Sequence, residues 1–273
     1  MFKTRLLSGI VLVILAIVFI GFGGELLAAG MGMISLIGMY ELYRVLGMER
    51  TPLSIACYLG VLAYYIAIIW DFAPVGVHAQ WMVLAVAALL IVILAIYVFS
   101  YPKYKADQMM GAFFGCFYVA LMLSYVYFTR ELPKGAYLVW LIFICSWGCD
   151  TCAYCVGVLF GKHKMAPVLS PKKSIEGAVG GVVGAMLLTL IFGLVLQKQL
   201  EVGMTEILLL TAGSAVGALI SMVGDLAASA IKRNYDIKDY GTLIPGHGGI
   251  LDRFDSMIIT APIVYYLCVF VLA

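Results

Sequence analysis

Residues 81–99 read WMVLAVAALLIVILAIYVF, 19 residues without one charged side chain. A helix rises about 1.5 Å per residue, so such a run approaches the ~20 residues that cross a ~30 Å hydrocarbon core. It is too long for a strand, and it lacks the period-two polar alternation of a membrane barrel. Moving outward, comparable apolar stretches occupy about 6–22, 25–43, 53–70, 108–128, 135–160, 177–196, 205–231 and 256–272. Of all 273 residues 64% are hydrophobic and 12% charged, against about half and about a quarter in soluble domains. The expected fold class is an all-α integral membrane protein, a polytopic bundle of about nine transmembrane helices. It reads as a single membrane-embedded domain without soluble domain, low-complexity tract or internal repeat.

The first run follows Lys3 and Arg5, the flank of a signal peptide, but no small-x-small cleavage site follows Phe22. It is read as a transmembrane helix. With the N-terminus in the cytoplasm, fourteen of the 17 Lys and Arg fall on the cytoplasmic side, leaving Arg130, Lys134 and Lys198 outside. That asymmetry follows the positive-inside rule. For most of these basic residues, setting topology is a sufficient role; the remaining uses are anionic lipid headgroups or a phosphorylated substrate.

Seven Cys are scattered without a disulfide framework, and Cys145, Cys149, Cys152 and Cys155 lie at helical spacing. In a membrane helix such small residues serve packing, as do the pairs Gly177/Gly181, Gly180/Gly184 and Gly213/Gly217. No function is assigned to the cysteines.

Two carboxylates inside apolar runs carry more information. Asp150 lies in SWGCDTCAY and Asp225 in SMVGDLAAS. An Asp at the bilayer centre costs about 2.5–3.5 kcal/mol on insertion scales, so it faces a partner or an aqueous cavity. Ser221, Asp225, Ser229 and Lys232 are spaced four, four and three apart, one helical stripe that descends to the cytoplasmic end.

That stripe enters SAIKRNYDIKDYGTLIPGHGGILDRFD, residues 229–255, with four basic side chains, four Asp and four Gly in 27 positions. Lys232, Arg233, Lys238 and Arg253 suit phosphate oxygens. Gly246, Gly248 and Gly249 allow backbone amides to approach an anion. Asp225, Asp239, Asp252 and Asp255 are hard oxygen donors suited to Mg²⁺. Cation binders beside anion binders imply a metal–phosphate ligand. His247 stands among the glycines as a general base, a carboxylate-orienting group or a phosphate contact. Upstream, Ser170 as N-cap and Pro171 at the first helical position would place Lys172 and Lys173 at an anion-attracting helix terminus. An ordinary positive-inside loop explains those lysines equally well.

These residues resemble the CDP-diacylglycerol synthase, or phosphatidate cytidylyltransferase, family. The resemblance rests on Ser229-x-Ile231-Lys232-Arg233, Lys238-Asp239-x-Gly241, Pro245-x-His247-Gly248-Gly249 and Asp252-Arg253-Phe254-Asp255. A second block matches in Asp150-Thr151-x-Ala153-Tyr154, Phe160-Gly161-Lys162, Ser170-Pro171-Lys172-Lys173 and Glu176-Gly177, with Cys152 where the family more often carries Gly. The likeness covers the C-terminal half, residues 131–273. Residues 1–130 share chiefly hydropathy, with Glu41 a weaker echo.

The resemblance implies cytidylyl transfer from CTP to phosphatidate, giving CDP-diacylglycerol and pyrophosphate for phospholipid biosynthesis. It implies Mg²⁺ at a two-cation site, with a monovalent cation such as K⁺ beside it. The expected metal ligands are Asp225 and Asp252, supported by Asp255 and Asp239. Asp225, Asp252, Lys232, Arg253 and His247 form the expected catalytic set. Ser170, Lys172, Lys173, Arg233, Lys238, Gly248, Gly249 and Asp150 would bind substrate. A phosphomonoester with a second pKa near ~6 is already largely ionised at neutral pH, so His247 is not required as a base. The expected partners are CTP, phosphatidate and the bilayer, without nucleic acid and with a homodimer left open. The expected location is the inner, plasma membrane with the site facing the cytoplasm. Competing readings are a polyprenol or phytol kinase, an archaeal ether-lipid cytidylyltransferase and, more remotely, an ion-coupled transporter.

Overall fold

Helices follow the apolar runs because, in hydrocarbon, a backbone must satisfy its own N–H and C=O groups. The structure is a computed structural model that describes residues 2–70, 78–246 and 248–272, without side-chain detail at 2–6 and 78–81. The elements in chain order are α1 (Phe2–Phe22), α2 (Gly24–Val45), α3 (Pro52–Ile69), α4 (His78–Phe99), α5 (Ala106–Glu131), α6 (Gly135–Phe160), β1 (Lys164–Ala166), β2 (Ser170–Ser174), α7 (Ile175–Val195), α8 (Met204–Asn234) and α9 (Leu251–Leu272). Among the described residues eight helices are long and apolar enough to cross a membrane, and Leu7–Phe22 is a shorter apolar helix. Each expected apolar segment therefore falls on a helix. Single π-helical stretches interrupt α5 at Cys116–Leu121 and α6 at Ile144–Gly148, the second ending just before Asp150.

The chain divides into two compact units. The first comprises residues to Ser124 together with Asp239–Arg253; the second comprises Tyr125–Lys238 and Phe254 onward. In the first unit α3 opens with Thr51 as N-cap and Pro52 at the first helical position, a start that supplies an acceptor and needs no N–H from proline. Buried hydroxyls then tie helices together: Tyr43 Oη donates to Ala112 O at 2.5 Å, and Tyr65 Oη donates to Ala120 O at 3.0 Å. In contrast α4 leaves Val83 and Ile91 exposed, as a helix facing lipid would.

Small residues set the close packing of the second unit. A Cβ on Gly180 would lie 2.5 Å from Val156, and one on Gly184 would lie 2.5 Å from Cys152. Cys149, Ala185, Ala218 and Met222 form a buried cluster where α6, α7 and α8 meet. The Cys145 and Cys149 thiols lie 3.8 and 3.9 Å from the Ser214 and Ala218 carbonyls. The expected packing role of these glycines and cysteines agrees with this arrangement.

One local expectation is overturned. Ser170 and Pro171 do not start a helix: Ser170–Ser174 is a strand paired antiparallel with Lys164–Ala166. The N-cap is Ser174, with extended backbone and a hydroxyl that accepts Gly177 N–H at 3.1 Å. The glycine lattice of the second unit decides this, because Ser174 Oγ would lie within 3.1 Å of a Cβ at Gly157, Gly161 or Gly177. Lys172 and Lys173 therefore ride on a hairpin strand, not on a helix terminus.

Candidate active site

In the second unit the stripe on α8 is realised as expected. Ser221, Ser229 and Lys232 are buried, and Ser229 Oγ donates to Asp225 Oδ1 at 3.5 Å. Lys173 on β2 forms an ion pair with Asp225, both side chains retaining about a quarter of their exposure (24% each). Asp255 on α9 is buried, accepts Ser256 N–H at 2.8 Å, and lies within electrostatic reach of Asp225, Lys232 and Asp150. Ser256 Oγ donates to Asp150 Oδ2 at 3.4 Å. Gly224 admits the α9 backbone, since a Cβ there would lie 2.9 Å from Asp255 O. Three carboxylates and two ammonium groups thus collect in a unit otherwise built of apolar and small side chains. A buried charge survives in such surroundings only with partners, and here each sign supplies them for the other.

The remaining basic residues are more open. Arg233 donates Nε to Leu169 O at 3.5 Å and Nη1 to Ile237 O at 3.2 Å, which fastens the hairpin and the turn after α8. Lys172 and Lys238 are exposed, and Ser170 is half-buried. At the other end of the hairpin, Glu176 accepts the Lys162 N–H at 3.0 Å and lies 2.6 Å from His163 Nδ1.

In the first unit the glycine-rich loop leads into α9. Asp252 is buried, and its Oδ2 accepts the Tyr240 N–H at 2.7 Å and the Gly249 N–H at 3.0 Å. Gly248 has φ +89°, a left-handed backbone, and a Cβ there would lie 2.9 Å from the same Oδ2. Glu41 on α2 accepts the Ile250 N–H at 3.0 Å and the Leu251 N–H at 2.8 Å. Arg44, three residues along α2, donates to Tyr240 O at 2.5 Å. Asp239 is exposed, Arg253 is half-buried, and His247 lies outside the described residues.

The loop is thus an anion cradle, but Glu41 and Asp252 of the chain itself sit against Gly249 and Gly248. Glu41 and Arg44 were absent from the expected site residues. The signal that singled out Asp150 and Asp225 applies equally to Glu41, an ionisable residue inside an apolar run.

The second unit's Asp225 and Asp255, with Asp150 nearby, provide hard oxygen donors that fit Mg²⁺, and Lys173 and Lys232 fit phosphate oxygens. Among the described residues no three His, Cys, Asp or Glu side chains already converge as a metal cage.

The likeness to known proteins, expected over residues 131–273, extends along nearly the whole chain. The model of the cytidylyltransferase family matches residues 3–271. A phosphatidate cytidylyltransferase of Bacillus subtilis (strain 168) is 32% identical, with 97% of each chain covered. One of Haemophilus influenzae is 33% identical with both chains covered in full. One of Thermotoga maritima is 34% identical over 62% of this chain and 64% of its own.

Proposed function

Since the chain belongs to the cytidylyltransferase family, we propose that it transfers the cytidylyl group of CTP to phosphatidate, forming CDP-diacylglycerol and pyrophosphate. It is a CTP-dependent nucleotidyltransferase and a multi-pass membrane protein. The substrates follow from the likeness to the phosphatidate cytidylyltransferases, and the observation that supports the chemistry is the cluster of Asp150, Asp225, Asp255, Lys173 and Lys232 in an otherwise apolar helical unit.

In this reading a phosphate oxygen of phosphatidate attacks the α-phosphorus of CTP in line, the bond to the β-phosphate oxygen breaks, and pyrophosphate leaves. Positioning and charge neutralisation dominate such transfers. Lys173 and Lys232 hold phosphate oxygens, an arriving phosphate competing with Asp225 for the Lys173 ammonium. Lys172, Arg233, Lys238 and Arg253 supply further cationic contacts, and Ser170 a hydrogen bond. Asp225 and Asp255 would hold Mg²⁺, which would supply neutralisation of the charge developing on the phosphate oxygens. K⁺ is the proposed accompanying monovalent ion. Asp252 arranges the loop backbone, and His247 orients rather than abstracts a proton, because the nucleophile is already ionised. The Lys and Arg asymmetry supports a site facing the cytoplasm, and the plasma membrane is the proposed location.

Purified protein in vesicles containing phosphatidate tests this with CTP labelled at the α- or the γ-phosphate. Label from the α-position alone is expected in the lipid. Label from the γ-position would identify a lipid kinase and overturn the proposal.

A further inference from the structure

Glu41 is a buried carboxylate on a helix otherwise lined inside by apolar and small residues. Leaving such a group unpaired costs several kcal/mol, so its partners indicate its use. Each oxygen has one: Oε1 accepts Ile250 N–H and Oε2 accepts Leu251 N–H, at the opening of α9. These amides begin a helix and lack intrahelical acceptors, so a carboxylate there caps the chain and complements the helix dipole.

The surrounding residues are shaped to that carboxylate. A Cβ on Gly249 would lie 2.4 Å from both Glu41 oxygens, and one on Gly241 would lie 2.3 Å from Oε1. Tyr240, between these elements, is held at both backbone atoms, its N–H by Asp252 and its carbonyl by Arg44. Glu41 and Arg44 are neighbours on one helix face by their spacing. α2 thus supplies an acid and a base that grip the signature loop from both ends.

We propose that Glu41 is a positioning residue for cytidylyl transfer. By fixing residues 240–251 it sets the start of α9, and therefore the placement of Asp252, whose carboxylate holds the Tyr240 and Gly249 amides. Gly241 and Gly249 are required in the loop because any side chain would displace Glu41. This inference rests on the cytidylyl-transfer reading.

The test is a kinetic cycle on monodisperse protein, with activity expressed per folded molecule and assayed well below the thermal midpoint. The wild-type protein is first shown to form CDP-diacylglycerol; its failure to do so would remove the reading itself and not only the role of Glu41. Glu41→Gln turns one acceptor into a donor facing an amide N–H. It is expected to lower kcat about tenfold or more, the equivalent of roughly one hydrogen bond, while KM for CTP changes less than about threefold. Glu41→Asp keeps both acceptor oxygens and is expected to recover part of that loss. Gly249→Ala should lower kcat about tenfold in the wild-type background but less than about twofold when added to Glu41→Ala, because the colliding carboxylate is gone. Full activity per folded molecule in Glu41→Gln would reduce Glu41 to a stability role and overturn the proposal. Equal Gly249→Ala effects in both backgrounds would overturn the coupling of loop to carboxylate.

Discussion

Replacing Lys173 or Asp225 breaks the ion pair that links β2 to α8. Both side chains keep 24% of their exposure, which places the pair between two regimes. Exposed pairs contribute about 0.2–1 kcal/mol, and removing one member of a fully buried pair costs about 3–5 kcal/mol. A pair three-quarters withdrawn from water falls between, so Asp225→Asn is expected to destabilise the folded state by about 1–3 kcal/mol. Lys173→Met should cost about as much, because it leaves Asp225 facing Asp255 with less compensating charge. In the double variant neither orphan exists, so the coupling energy is expected to be about 1–2 kcal/mol. Contact at this range lies well inside the ~8 Å Debye length, and moderate salt should change it little. Reversible unfolding in mixed detergent micelles, read by pulse labelling of thiols, measures it. Cys57, Cys116, Cys145, Cys149 and Cys268 are buried and become reactive on unfolding. Strict additivity of the two single variants, with coupling below about 0.3 kcal/mol, would refute the pair as a held contact.

Three further outcomes follow from the same geometry. Ser174→Ala removes the N-cap of α7 and should cost about 1 kcal/mol of stability with KM for CTP unchanged, as thermal unfolding and initial rates report together. Gly184→Val drives side-chain atoms into Cys152, whose Cβ and Sγ lie 2.5 Å from even a single added carbon; overpacking of about 1–3 kcal/mol should appear as a lowered unfolding midpoint. Asp225→Asn and Asp252→Asn should each abolish lipid product while leaving membrane insertion intact, and His247→Ala should lose less, as product assays beside membrane fractionation will show.

The transmembrane helices were legible because the bilayer imposes a length and a composition that a sequence cannot hide. The polar stripe of Ser221, Asp225, Ser229 and Lys232 was legible for a similar reason, since helical periodicity alone places those residues together. The hairpin was not. Ser170-Pro171 imitates a helix start, and the true cap, Ser174, is chosen by glycines of α6 and α7 that local pattern does not connect to it. Gly249 carries a constraint that local pattern does not show either: a Cβ there would lie 2.4 Å from both oxygens of Glu41, 209 positions from its hydrogen-bond partner Ile250. Local propensity reports which backbones are permitted; tertiary contacts decide which of them the chain uses.

The most direct measurement follows the oxygen atoms. Phosphatidate whose headgroup phosphate carries heavy oxygen is converted with unlabelled CTP, and the products are analysed by mass spectrometry. Attack of the lipid phosphate on the α-phosphorus predicts that every heavy oxygen of that phosphate, the bridging one included, appears in CDP-diacylglycerol and none in pyrophosphate. Loss of one heavy oxygen from the lipid product, or its appearance in pyrophosphate, would contradict the account.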